Sequence, residues 1–194
     1  MGRSAANSLT WDSSSRSLYW AKQAAIVLGA SLFVALCAQV TVPLPFTPVP
    51  LTLQNFGVLL VGLTLGARRG FVAMVLYLIE GVSGMPVFNP MGKGGIAQLL
   101  GLTGGFLMAY PLVAGIAGLI LSAGKRTFAR AAVAGLLAEV VLFASGIGWL
   151  IILTLSVSQA VRFGFYWFIF AEIIKVMFAA AIAVGIRRTP KAQA

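Results

Sequence analysis

"PVPLTLQNFG", residues 48–57, sits between two apolar runs. A turn in a soluble domain needs only polar turn residues. This stretch instead brings Pro48 and Pro50 close behind Pro45 and then places Gln54 at the edge of the next apolar run. Whether it is a surface turn or a loop between membrane-crossing segments decides the fold, and the flanks answer. The runs on either side are nearly uncharged and approach the roughly 20 residues that a helix needs to cross a bilayer.

The composition agrees. The 194 residues are 60% hydrophobic and 9% charged, where a soluble domain carries about 25% charged residues. Alternation with a period of two is weak, so the spans are helices and not barrel strands. The reading is all-α: an integral membrane bundle. Six apolar segments stand out, at residues 18–42, 51–66, 70–81, 103–122, 128–150 and 162–186. The third is short and is expected to extend at one end. Residues 1–17 read as a polar cytoplasmic tail, 18–188 as the six-helix transmembrane domain, and 189–194 as a short cytoplasmic tail.

Net charge is +10. Between spans, such charge orients the chain and does not indicate nucleic acid. Six spans put both termini on one side, with Arg3, Arg16, Lys22, Arg68, Arg69, Lys125, Arg126, Arg130, Arg187, Arg188 and Lys191. Lys93 and Arg162 fall on the other side, and Lys175 falls within a span. By the positive-inside rule, both termini are cytoplasmic in a multi-pass protein of the cell membrane.

The loops differ in the same sense. The inner connections, "ARR" and "AGKRT", are short and basic. The first outer loop, residues 41–50, has four prolines and no charge. The second, "VSGMPVFNPMGKGGIAQLLGL" (82–102), is rich in glycine and too apolar for disorder. It is expected to pack over the outer mouth of the bundle. Pro48, Pro50 and Pro86 stiffen these loops, and stiff loops lose less entropy on closing over a ligand.

Catalysis finds little support. The chain has no His, no Gly-x-Ser-x-Gly, no phosphate loop and only four acidic residues. Cys37 stands alone, so no disulfide within the chain and no Cys/His metal site is possible. No cofactor is implied.

Charges inside spans need a partner or a function, since each costs on the order of 3 kcal/mol at the bilayer centre. Glu172 and Lys175 in "FAEIIKVMF" (170–178) share a helical stripe with Phe168 and Ala179. The pair either pins the bundle or lines a ligand cavity open to the outside. Counted from Arg162 along one helix, Glu172 lies about 15 Å deep. Glu139, in "GLLAEVVLF" (135–143), is either the partner of Lys175 or a cavity residue. Gln54 and Asn89 flank the two outer loops, and each amide can donate and accept. They read as rim polarity or as ligand contacts. On the first span, "AIVLG" (25–29) and "SLFVA" (31–35) carry small residues four apart, which permit close helix approach within the bundle or to a partner protein.

"PLPFTPVPLTLQNFGVLLVGLTLGARRG" (43–70), "GVSGMPVFNPMGKGG" (81–95), "LTGGFLMAYPLVAG" (102–115) and "EIIK" (172–175) together resemble the BioY family, the biotin-binding substrate-capture components of energy-coupling factor (ECF) transporters. The resemblance covers nearly the whole chain beyond the tail. It implies a six-helix bundle that captures biotin from outside under its two outer loops, with Glu172 and Lys175 as the family's acid-x-x-Lys pair. A pocket for biotin needs an acceptor, a donor, apolar walls and a partner for the carboxylate. Gln54, Phe88, Asn89, Phe168, Glu172 and Lys175 are of the types that supply them, which makes them the expected substrate-binding residues. The resemblance also implies contact with the transmembrane coupling subunit at Ser31 and Ala35, and cooperation with ATPase subunits. The sequence departs from the family's pattern at Glu172, usually Asp, and at Leu102 and Phe106, usually Pro and Tyr. The alternatives are a capture component for another vitamin, or a membrane enzyme or channel. A channel would carry more polar residues on its second to fourth spans.

Overall fold

The structure, a computed structural model, describes residues 4–186. Arg3, Arg187, Arg188, Lys191 and the tail 189–194 lie outside the described residues. The chain is mostly helical: α1 (Ser4–Gln39), α2 (Gln54–Leu65), α3 (Ala67–Val82), α4 (Gly95–Leu99), α5 (Gly104–Ser122), α6 (Phe128–Thr154), α7 (Val157–Val161) and α8 (Ile169–Gly185). A π-helical turn, Arg162–Tyr166, joins α7 to α8.

Four stretches among the described residues are long and apolar enough to cross a membrane: Ser15–Gln39, Gly104–Ser122, Phe128–Thr154 and Val157–Gly185. The second and third segments are shorter helices, of 12 and 16 residues. At 1.5 Å per residue α2 is only about 18 Å long. Its expected first residues, Leu51 and Thr52, are instead strand β2 (Leu51–Thr52), paired antiparallel with β1 (Thr41–Val42). The third segment begins at Ala67, ahead of Gly70. The last is not one helix: the π turn and Phe168 precede α8, so the depth of Glu172 counted from Arg162 does not hold.

The core is built by close approach. Gly66, with φ 85°, makes the sharp junction between α2 and α3 in a conformation that favours glycine. A Cβ on Gly62 would lie 2.4 Å from the Ala114 carbonyl oxygen, and one on Gly118 would lie 2.4 Å from the Ala67 nitrogen. Glycine therefore lets α2 and α3 pack backbone to backbone on α5. Leu59, Leu63, Met74, Tyr77, Leu107 and Leu121 fill the space between. Large apolar side chains also face outward, among them Leu36, Leu112, Leu119, Val140, Phe170 and Phe178. That is the pattern of helices solvated by lipid, which need not hide apolar surface.

The two ends differ. At one, Arg126 Nη2 donates to the Leu63 carbonyl, tying the α5–α6 connection to the last turn of α2 beside the α2–α3 junction that carries Arg68. At the other lie the two long loops. Thr47 Oγ1 donates to the Phe163 carbonyl at 2.8 Å, and Phe46 packs on Trp167 with ring centroids 4.2 Å apart. Val49, Phe143, Leu150, Ala160 and Phe168 form a second apolar cluster beneath. The proline loop is thus a lid with its own core.

Candidate functional site

Beneath that lid is a tight cavity of about 50 Å³. Its walls come from the lid (Val49, Pro50, Thr52), the start of α2 (Gln54, Asn55), the second loop (Asn89, Thr103), α5 (Phe106, Leu107, Tyr110), α6 (Leu142, Phe143) and the last segment (Phe168, Glu172).

The chain places each wall for a local reason. Trp149 Nε1 donates to the Gly101 carbonyl at 2.9 Å, and Ser145 Oγ donates to that of Gly105 at 2.7 Å. A Cβ on Gly105 would lie 2.3 Å from that of Trp149. The paired glycines of "GLTGGF" therefore press α5 onto α6 and turn Phe106 into the cavity. Gln54 Nε2 donates to Tyr77 Oη at 2.6 Å, which donates to the Val87 carbonyl at 2.8 Å. This relay fixes the backbone just ahead of Asn89.

The polar floor is a four-residue cluster. Asn55 Nδ2 donates to Glu139 Oε1 at 2.6 Å and to Glu172 Oε2 at 2.7 Å. Lys175 Nζ pairs with Glu172 Oε1 at 2.6 Å. Glu172 stands in the first turn of α8, where the helix dipole favours a carboxylate. Lys175 is paired with Glu172 and not with Glu139, whose hydrogen-bonded partner is Asn55; the reading of Glu139 as the partner of Lys175 is corrected. Asn55 Oδ1, Asn89 Oδ1 and Glu139 Oε2 are buried acceptors with no protein partner among the described residues. Buried acceptors of this kind call for donors.

Of the expected site residues, Gln54, Asn89, Phe168 and Glu172 line the cavity. Phe88 does not. It is buried behind, edge-on to Tyr77 at 5.4 Å, and supports the relay. Lys175 also stays behind, acting through Glu172. Sequence reasoning passed over Asn55, although it adjoins Gln54 in the quoted block, and over Tyr110, Phe106 and Phe143. Asn55 is the residue that joins the two buried acids.

Ser31 needs a correction. It is fully buried, and its hydroxyl donates to Glu80 Oε2, so it ties α1 to α3 inside the bundle. Ala35 is half-buried against the core. The other small pair, Ala25 and Gly29, is exposed, with nothing within 4 Å of a Cβ built on Gly29.

A wider vestibule lies outside the cavity, lined by both loops and sharing Pro50, Asn89 and Thr103 with it. These three residues form the neck between the compartments.

Comparison with known proteins agrees with this architecture. A "Probable biotin transporter BioY" of Pyrococcus horikoshii is 39% identical over 166 residues, covering 84% of this chain and 94% of the relative. A "Biotin transporter BioY" of Thermotoga maritima is 34% identical over 163 residues, covering 84% and 95%. The crystal structure of the S-component for biotin from an ECF-type ABC transporter has the same fold, with a TM-score of 0.78 over 87% of this chain and 92% of that one at 22% identity. The profile of the BioY family matches residues 6–192, and the chain belongs to the BioY family.

Proposed function

We propose that the protein captures biotin from the outer side of the cell membrane and serves as the substrate-binding component of an ECF-type transporter. The observation that carries this is the set of unpartnered buried acceptors, Asn55 Oδ1 and Asn89 Oδ1, in a cavity that also presents the Glu172 carboxyl group and the aromatic walls Phe106, Phe143 and Phe168. Biotin's ureido ring offers N–H donors to such acceptors and to Glu172. Its thioether ring is apolar and suits Phe106, Phe143 and Phe168. Glu139 and Glu172 disfavour an anion at the floor. The ureido end therefore points inward and the valerate carboxylate points to the neck. Lys175 positions Glu172 and partly offsets the two acids.

Six membrane crossings, with α2 and α3 as the shorter two and both termini cytoplasmic, are the topology we assign. Its support is the eleven-to-two split of basic residues in the sequence, and the placement of both long, weakly charged loops at the end away from Arg68 and Arg126. Uptake would engage a transmembrane coupling subunit and ATPase subunits, whose transmembrane contact we place on the exposed Ala25–Gly29 side of α1.

Isothermal titration of the purified protein with biotin, thiamine and riboflavin tests the reading. Saturable one-site binding of biotin alone is expected. Binding of another vitamin in preference to biotin would overturn it.

A further inference from the structure

The two compartments carry opposite charge. Among the residues lining the inner cavity the one charged side chain is Glu172, and among those lining the vestibule it is Lys93. We propose that the vestibule is a second subsite, which holds the carboxylate end of an elongated ligand whose polar head occupies the inner cavity, with Lys93 as its charge. The proposal rests on the biotin reading above and adds to it a compartment and a residue.

The loop that carries Lys93 is built and clamped. Gln98 is buried, its Oε1 accepts from the Gly94 nitrogen at 3.1 Å, and its Nε2 donates to the Asn89 carbonyl at 3.2 Å. One side chain thereby closes residues 89–94 across their base and links the neck to the position beside Lys93. A Cβ on Gly92 would lie 2.3 Å from the Gln98 amide carbon, and Gly94 and Gly95 have φ of 69° and 56°. The glycines are what let the backbone wrap the clamp.

The lining also suits a chain that ends in an anion. Leu44, Met91, Leu100 and Leu102 supply apolar surface along the vestibule. An alkyl chain leaving the neck would run against it and bring its terminal carboxylate near the ammonium. Lys93 is exposed, so its attraction is screened by water and salt, and the effect is modest.

The test compares biotin with biotinamide, which replaces the carboxylate by a neutral amide, in wild type and in Lys93→Met and Lys93→Arg. Wild type is expected to prefer the acid by about fivefold, the scale of one solvent-screened ion pair. That preference should collapse towards unity in Lys93→Met, persist in Lys93→Arg, and shrink in wild type at high potassium chloride. Equal wild-type affinity for acid and amide overturns this inference alone, as does a preference that survives Lys93→Met. Binding of neither ligand by wild type overturns the biotin reading, and this inference with it.

Discussion

Glu139 and Glu172, carried by α6 and α8, share one hydrogen-bond donor, the Nδ2 of Asn55 on α2. Three helices thus converge on a single nitrogen, and two carboxyl groups are held together by it. The arrangement ties the stability of the bundle to the polarity of the cavity floor.

Asn55→Ala removes that donor and leaves two buried carboxyl groups facing each other. A loss of about 3 kcal/mol of stability is expected, as for other broken buried charge networks. Adding Glu139→Gln should recover part of it. Thermal unfolding of both variants in detergent checks the coupling, and additive losses would mean that the cluster does not act as a unit.

The double change Glu172→Gln with Lys175→Met removes both members of the 2.6 Å pair at similar volume. Stability is expected to hold, because both desolvation penalties disappear together. Biotin affinity should fall roughly ten- to a hundredfold, the scale of a lost charge-assisted hydrogen bond. Wild-type affinity in a well-folded variant would remove Glu172 from the site.

The two small pairs of α1 make a contrasting test. Ser31→Trp forces bulk into a fully buried position and should destabilise the purified protein. Gly29→Trp meets open space and should leave folding and biotin binding intact while impairing uptake in cells. If Gly29→Trp transports normally, the coupling subunit docks elsewhere.

Orientation is checked with Lys93→Cys in a Cys37→Ala background, since Cys37 is the chain's one cysteine. A membrane-impermeant maleimide should label position 93 in intact cells. Labelling only after lysis would place the lid end of the bundle in the cytoplasm.

Much of this was legible in the sequence. The apolar runs located α5, α6 and the membrane-length part of α1 (Ser15–Gln39) well, because lipid-facing helices are apolar almost throughout, but they gave no sign that α1 begins at Ser4, in the polar stretch read as a tail. They located α2 and the last segment poorly: Leu51 and Thr52 are as apolar in a two-residue ladder as in a helix, and nothing in "VRFGFYWF" marks a π turn. Gln54, Asn89, Phe168 and Glu172 stood out through their position beside special loops or inside a span, and they line the cavity. Asn55 did not, since an amide one position into a helix looks like an ordinary cap until two carboxyl groups from distant segments arrive beside it. Ser31 shows the converse. Spacing four apart gives a helix face but not its direction, and that direction depends on Glu80, which is 49 residues away.

The proline lid has a consequence for timing. Its anchors, Thr47 on Phe163, Phe46 on Trp167 and the β1–β2 ladder, are contacts between parts of the protein. A ligand leaving by way of the lid must wait for them to part, however weakly it is itself held. Dwell time and affinity can therefore change separately: loosening Thr47 would hasten both arrival and escape with little change in the equilibrium between them, and a partner that pulled on the π turn could discharge the cargo without touching the cavity.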